Sequence, residues 1–463
     1  CGQENLILYM KMKNNTDRKE SIRLEILNAP VLPLLFKMSF PTIIGMLITV
    51  LYNLTDTFFV GLLNNRSMTA SIGIVFSFVS IIQAVGFWFG YGSGNIMSKK
   101  LGEQNEKEAI IISYIGIILA LTSGIIIMIM SMIFIENISG FIGGDASENL
   151  LYFTNKYLKV MIISIPFSLY AITVYNQLRL CGNVKAAMSG LLLGMFANMI
   201  LDPILIFTFK FGLIGAGYAT LIGQMIGCFA LTLTIKRNKN NHVGIKDIKF
   251  SKERIYHILV GGMPNFSRQA ITSISSVLLN NTAASYGDGI IAALTVSSRT
   301  VALAYMIMIG WGQGFQPVCA MNYGAKKYER VKEAFNLALM IGTVFLSLSA
   351  IVIYIIPVNF IKIMSNDVEV IEMGIKILRM QCMTMPLLGY YAMSSMLMQN
   401  TGRYIKSLTI SVARQGIFYI PLIYILTAMY GKTGICLLQP LADMLSFCLA
   451  FIIVNKNHKD IGI

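Results

Sequence analysis

The chain has 463 residues, of which 55% are hydrophobic and 13% charged, and it carries a formal net charge of +15. A soluble domain carries about 25% charged residues, so the composition excludes an ordinary water-soluble globule. It predicts an all-α integral membrane protein, in which apolar runs of about 18 residues or more cross the bilayer.

Residues 1–33 are polar and mixed in charge, which predicts a cytoplasmic tail ending in a short amphipathic helix. The start is Cys1 and shows no charged n-region, short h-region and cleavage site. Apolar spans follow at 34–62, 69–97, 109–135, 157–178, 187–209 and 211–235. A basic run, KRNKNNHVGIKDIKFSKER, then covers Lys236 to Arg254. Six more spans fall at 256–285, 290–321, 334–357, 374–399, 407–428 and 433–455. The expected organisation is a tail 1–33, an N-lobe 34–235, a cytoplasmic linker 236–255, a C-lobe 256–455 and a tail 456–463. Several spans exceed the minimum length and should tilt or project beyond the hydrocarbon.

The two halves repeat each other. Pro166 and Pro386 lie 220 apart, as do Gly182 and Gly402, and Gly90, Gly92 and Gly94 recur as Gly310, Gly312 and Gly314. Pro41 answers Pro264, Pro203 answers Pro421 and Gly215 answers Gly434, at offsets within a few residues of that value. This is an internal duplication. An even number of spans per half makes the repeats parallel, related by an axis along the membrane normal. The glycines sit two and four apart on one helix, which suits close helix packing in lipid. A phosphate-binding G-x-G-x-x-G is a poor fit, since no strand precedes the run and the sixth position is Asn95.

The basic residues explain themselves by topology. With a cytoplasmic N-terminus, the inside segments hold Arg18, Lys19, Arg23, Lys37, Lys99, Lys100, Lys107, Arg179, Lys185, the linker cluster, Lys326, Lys327, Arg330, Lys332, Arg403, Lys406 and Lys456. Outside loops hold Arg66, Lys156, Lys210, Lys362, Lys376 and Lys432. The asymmetry follows the positive-inside rule and puts both termini in the cytoplasm of a cell with an inner (cytoplasmic) membrane. No nucleic-acid partner is implied. The seven cysteines form no C-x-x-C pair, the three histidines lie in or beside cytoplasmic segments, and no G-x-x-x-x-G-K-[ST] occurs. Disulfide framework, metal cluster, ATP engine and enzyme active site are therefore not expected.

A charge inside the bilayer costs about 2.5–3.5 kcal/mol on translocon scales, which makes intramembrane ionisable groups functional candidates. The N-half has Asp56 and Asp202. Each lies roughly 9–12 Å below the outer boundary at about 1.5 Å per residue. Asn198 precedes Asp202 by one helical turn on the same face, and Thr220 lies at similar depth. Two carboxylates, an amide and a hydroxyl in one layer suit a proton or Na⁺ site, the alternative being neutral structural acids. In the C-half, Asp443, Arg299 and Arg414 lie within spans, while Arg268 and Arg379 read as nearer span ends. Asp443 is either a second polar site or the ion-pair partner of Arg299 or Arg414. The duplication places Leu279 opposite Asp56 and Ile420 opposite Asp202, so the acids are not repeated. Tyr52, Asn53, Gln83, Tyr175, Asn176, Asn280 and Gln313 are further candidates for lining a substrate cavity, and 29 methionines supply adaptable surface.

The stretches FPTIIGMLITVLYNLTDTFFVG, RLCGNVKAAMSGLLLGMFANMILDPILIF with GLIGAGYAT, GQGFQPVCAMNYGAKKYERV, and VARQGIFYIPLIYIL with PLAD resemble, together and in this order, the multidrug and toxic compound extrusion (MATE) family over nearly all of residues 34–455. The resemblance implies twelve transmembrane helices in two six-helix lobes around a central V-shaped cavity. It implies export of amphipathic, mostly cationic organic compounds in exchange for H⁺ or Na⁺, with no other cofactor and a monomer in the bilayer. The acid of the family's first-helix motif falls on Asp56, the bending proline on Pro41, and the N-lobe polar cluster on Asn198, Asp202 and Thr220. One branch of the family also has acids in the seventh and tenth helices; this chain has none there. Two alternatives are a lipid-linked oligosaccharide flippase of the same superfamily, which would use Arg299 and Arg414, and a non-transporting membrane protein.

Overall fold

The computed structural model describes residues 20–144, 147–238 and 250–461. A few side chains within helices, Asn53 among them, also lie outside the described set. The first part of the expected tail and the centre of the linker are thus not described. Among the described residues all regular structure is helical.

A short helix α1 (residues 20–28) precedes α2 (Val31–Gly61), α3 (Arg66–Gly102), α4 (Glu106–Ile133), α5 (Ile135–Phe141) and α6 (Glu148–Leu180). Then come α7 (Val184–Pro203), continued by a π-helical turn at Ile204–Thr208, and α8 (Leu213–Asn238). The second half has α9 (Lys252–Ala284), α10 (Asp288–Gly324), α11 (Tyr328–Ile355), α12 (Pro357–Lys362), α13 (Val368–Thr384) and α14 (Leu387–Asn400). It closes with α15 (Tyr404–Val412), a π-helical turn at Ala413–Ile417, α16 (Tyr419–Tyr430) and α17 (Lys432–Ile461).

The helix ends are written in polar residues. Asn65, Asn105 and Ser147 each accept a hydrogen bond from the backbone N–H three residues on, and Asp367 caps α13 in the same way. These side chains satisfy donors that a helix start leaves unpaired. Gly182 and Gly402 end α6 and α14 at φ of 84° and 83°, the left-handed conformation that glycine adopts without strain. Their offset is the 220 residues of the sequence repeat. The repeat also holds for whole elements: α3 and α10 are both 37 residues long, and α4 and α11 both 28.

Among the described residues, ten helical segments are long and apolar enough to cross a membrane by length and composition. The remaining two spans of the twelve are α9, which carries Arg254, His257 and Arg268, and the α13–α14 pair, with Glu369, Glu372, Lys376 and Arg379. The sequence predicts one span at 374–399, but the chain breaks there at Met385–Pro386. Proline has no N–H to continue the ladder and crowds the preceding turn. Its counterpart Pro166 is held inside a continuous α6. Observed helices also overrun the expected spans: α3 and α6 extend past 69–97 and 157–178 at both ends. Apolarity marks hydrocarbon thickness, whereas hydrogen bonding carries a helix on into the polar margin.

The described residues form two compact units, those of 20–29 with 44–262, and those of 30–43 with 263–461. The expected lobe limits differ at the leading helices, because α2 divides at Ile43–Ile44 and α9 at Gly262–Met263. In the first unit α3 packs along α6 and α4, and α7 along α8. Gly86, Gly90 and Gly94 lie against Ile172, Asn176 and Leu180 of α6, while Gly92 meets the Ile258 carbonyl of α9. A Cβ on Gly92 would collide with that carbonyl. The Trp88 indole donates to Leu259 O at 2.7 Å beside it. In the second unit, Ser39 and Thr42 of α2 donate to the carbonyls of Trp311 and Gly310 at 2.9 and 2.7 Å. The repeated glycines therefore serve close helix contact, which drives association in lipid where water expulsion does not.

Candidate functional site

The polar cluster of the first unit is assembled from α2, α7 and α8. Asp56 sits near the end of α2 at 9% exposure, and Asp202 at the end of α7 is fully buried. Their carboxyls are near enough to act on each other electrostatically. Asn198, one turn before Asp202, donates through Nδ2 to Thr220 Oγ1 of α8 at 3.2 Å. The four residues that the sequence places in one layer are brought together in space. Pro203 follows Asp202 directly and removes a backbone donor, and the π-helical turn begins at the next residue.

The cluster is rich in acceptors and poor in donors. Asp56 Oδ1, both carboxylate oxygens of Asp202 and Asn198 Oδ1 are buried without a hydrogen-bond donor among the described residues. Two ionised carboxylates cannot donate to each other; a shared proton would turn their contact into a hydrogen bond. The same oxygens, with the Thr220 hydroxyl, form a hard donor set of the kind that alkali and alkaline-earth cations take. Orphaned buried oxygens cost about 1–3 kcal/mol each, and either cation would relieve that cost. Among the described residues no group of three or more His, Cys, Asp or Glu side chains is placed to hold a transition metal.

Below the acids lies a cavity of about 150 Å³, lined by Gly45, Thr49, Tyr52, Gln83, Phe87, Tyr175, Asn198, Thr220 and Gln224 among others. Tyr52, Gln83 and Tyr175 thus share one cavity, and Asn198 and Thr220 stand in both its wall and the acid cluster. Tyr157, which sequence reasoning passed over, lies with Tyr52 at Thr220, in the field of both acids. A tyrosine at an apolar helix face carries no signal until its neighbours are known.

Other candidates sit elsewhere. Asn176 is fully buried against Gly90, bonded to Ile172 O at 2.8 Å and to Arg179 at 3.0 Å. Gln313 is buried in α10, whereas Arg299 and Asn280 are exposed on α10 and α9. Pro41 lies in the part of α2 that belongs to the second unit. Asn53 is outside the described side chains.

In the second unit Asp443 of α17 is almost fully buried. Arg414 Nε and Gln439 Nε2 both donate to its Oδ1 at 2.7 Å, and Thr384 Oγ1 donates to Oδ2 at 3.3 Å. Of the two partners left open by the sequence, Arg414 is the one bonded, and its guanidinium also lies 5.3 Å from the Tyr305 ring centre. Arg414 is carried by the π-helical turn of Ala413–Ile417, which neither composition nor periodicity signals.

A duplicated, twelve-span helical membrane fold with a cavity and buried acids inside one unit defines a multi-pass membrane transporter. The MatE family model matches residues 41–204 and 264–425, one block in each half. The chain belongs to the MatE family. It is 29% identical over 428 residues to the multidrug export protein MepA of Staphylococcus aureus strain MSSA476, covering 92% of this chain and 94% of the relative. It is 27% identical over 417 residues to MepA of Staphylococcus haemolyticus, covering 90% and 91%. Its fold matches a MATE crystal structure in the straight conformation with a TM-score of 0.88 at 23% identity, covering 95% of this chain and 98% of that one. A MOP superfamily transporter from Pyrococcus furiosus matches at 0.87 and 24% identity, with the same coverage.

Proposed function

We propose that the protein is a secondary active exporter of amphipathic, mostly cationic organic compounds, driven by inward movement of H⁺ or Na⁺. The observation that carries this reading is the donor-poor pair Asp56–Asp202, joined through Asn198 and Thr220 to the wall of a cavity. The MepA relatives, named multidrug export proteins, support export as the activity. The positive-inside distribution supports a cell-membrane location with both termini cytoplasmic.

The mechanism follows from the shared wall. A cation arriving at the acids neutralises charge and recruits the orphaned oxygens of Asp202 and Asn198. Asn198 then changes its hydrogen bonding to Thr220, and the cavity loses negative field. A positive ligand held by that field is released. With the cation gone, two facing carboxylates again favour a positive ligand. Such coupling works only if the acids bind the cation with different affinity in the two transport states. Asp202 and Asn198 adjoin a π-helical turn, a local irregularity that can shift register at low cost.

The flippase alternative is less well supported. Arg414 is tied to Asp443, which halves the cationic pair that reading would use.

The test is ethidium accumulation in energised cells, compared between wild type and Asp202→Asn at matched expression. Low accumulation with wild type and high accumulation with the variant are expected. Proteoliposomes then separate the ions, since an imposed ΔpH or an imposed Na⁺ gradient drives uptake of the dye alone. Dye movement indifferent to both gradients, or equal export by wild type and variant, would sink the coupling scheme.

A further inference from the structure

The half of each unit away from the linker, external in the topology above, carries a charged face that the acid cluster does not use. In α6, Tyr152, Lys156, Lys159 and Ile163 are all exposed and fall on one side of the helix. Lys156 and Lys159 stand 8 and 11 residues beyond Glu148, where the helix starts, or roughly 12–17 Å along its axis. Tyr157, between them, lies at Thr220 in the acid layer, so both lysines are well inside the span. This is not the cavity face: Ser168, Ala171 and Tyr175 line the cavity from about a third of a turn away. Nor does it meet α3, which packs on the opposite side of α6 at Ile172, Asn176 and Leu180. It forms the outer wall of the unit, towards lipid.

The duplication repeats this face with its charge. The offset of Pro166 to Pro386 puts Lys376 at Lys156, Arg379 at Lys159 and Met383 at Ile163. All three are exposed, and the two cations again stand 8 and 11 residues beyond a helix start, Val368. A short helix lies beside each face: the Ser139 hydroxyl of α5 donates to Asn155, and Ile361 of α12 packs over Gly374. Asp56 and Asp202 have no charged counterpart in the other half, but this basic pair does, on the side where the positive-inside rule disfavours it.

A charge facing lipid is costly, and long basic side chains escape the cost by reaching for the interface. Lys156 Nζ is bonded to the Tyr152 hydroxyl, one turn nearer the helix start, and lies 4.3 Å from its ring centre. The Arg379 guanidinium lies 5.5 Å from the ring centre of Tyr354 on α11. Lys159 and Lys376 make no hydrogen bond or ion pair among the described residues, and Glu372, one turn before Lys376, pairs with neither Lys376 nor Arg379. Each face therefore offers cationic donors that lack an anionic acceptor.

We propose that these faces are equivalent binding sites for the phosphate of an anionic glycerophospholipid, one in each unit, held by Lys156 with Lys159 and by Lys376 with Arg379. Ammonium and guanidinium N–H groups bond phosphate oxygens strongly, and a lipid of net negative charge answers the surplus of cations. Its acyl chains continue along the apolar end of each stripe at Ile163 and Met383, 42% and 71% exposed. The site does not depend on the export reading.

Native mass spectrometry counts the lipids. Full-length protein, delipidated in detergent, is titrated with dioleoylphosphatidylglycerol or dioleoylphosphatidylcholine. The wild type should keep two phosphatidylglycerols at collision energies that strip phosphatidylcholine. Lys156→Gln with Lys159→Gln should lose one, Lys376→Gln with Arg379→Gln the other, and the fourfold variant both. Lys156→Arg with Lys159→Arg should keep both, which separates charge from packing. Equal retention of the two lipids by the wild type, or undiminished phosphatidylglycerol on the fourfold variant, overturns the proposal. So does a loss in the arginine pair equal to that in the glutamine pair. A species of twice the mass that the fourfold variant abolishes would make this face a contact between copies of the chain and overturn it too.

Discussion

Removing one member of the Arg414–Asp443 pair should cost far more stability than removing both. The side chains of Arg414 and Asp443 are 13% and 2% exposed, and the Nε–Oδ1 distance is 2.7 Å. Arg414→Met leaves the Asp443 carboxylate with only the neutral donors Gln439 and Thr384. Asp443→Leu leaves a guanidinium over Tyr305 without its acid. Breaking a buried pair from one side costs about 3–5 kcal/mol, whereas replacing both partners by apolar groups is close to neutral. For a cooperative unit of about 200 residues, each single variant should lower Tm by roughly 6–20 °C. The double variant should recover most of that, giving a coupling energy of at least ~2 kcal/mol. Fluorescence-detected size-exclusion after graded heating in detergent reads the three melting curves. A double variant as unstable as the sum of the singles would refute the reasoning, because it would mean the two groups do not compensate each other.

Gly73 and Gly92, both inside α3, should respond in opposite ways. Gly73→Ala meets open space and should raise Tm slightly, by about 0.5–1 kcal/mol of helix preference, while Gly92→Leu drives into the Ile258 carbonyl and should abolish recovery of monodisperse protein. The bidentate pair from Arg254 to Glu108, at 2.7 and 2.9 Å, is about a quarter exposed on each side. Arg254→Met should therefore shift stability by no more than about 1 kcal/mol, and that shift should shrink in 1 M salt, about where the Debye length falls to 3 Å; a large, salt-independent loss would contradict the surface assignment.

Much of this architecture is legible in the sequence because proline and glycine report backbone geometry. Gly182 and Gly402 mark two equivalent helix ends, and the triplets at Gly90 and Gly310 mark two close helix contacts. The layer of Asp56, Asn198, Asp202 and Thr220 is legible for a different reason. Buried acids are rare in spans, and helix rise converts sequence distance into depth. What stays hidden depends on azimuth and on distant partners. Asn176 and Tyr175 are adjacent in sequence, yet one packs under Gly90 and the other opens on the cavity. Arg268 reads as near a span end because apolarity starts late in α9, whereas the helix itself begins at Lys252. The break at Pro386 beside an unbroken Pro166 shows that one proline pattern allows two outcomes, and tertiary packing chooses between them.

The two halves thus share turns, lengths and glycine contacts but not the charge of their interiors. Backbone features persist because α3 and α10 each need close helix approach, and a side chain at such a point is excluded by collision. Charge is free to diverge wherever a side chain faces a cavity. Asp56 and Asp202 correspond to Leu279 and Ile420, and Arg268 and Arg414, at the same two offsets, to Gly45 and Phe196. Neither half carries its acids and its arginines at matching positions, so the duplication has produced two polar sites of opposite sign rather than one site twice.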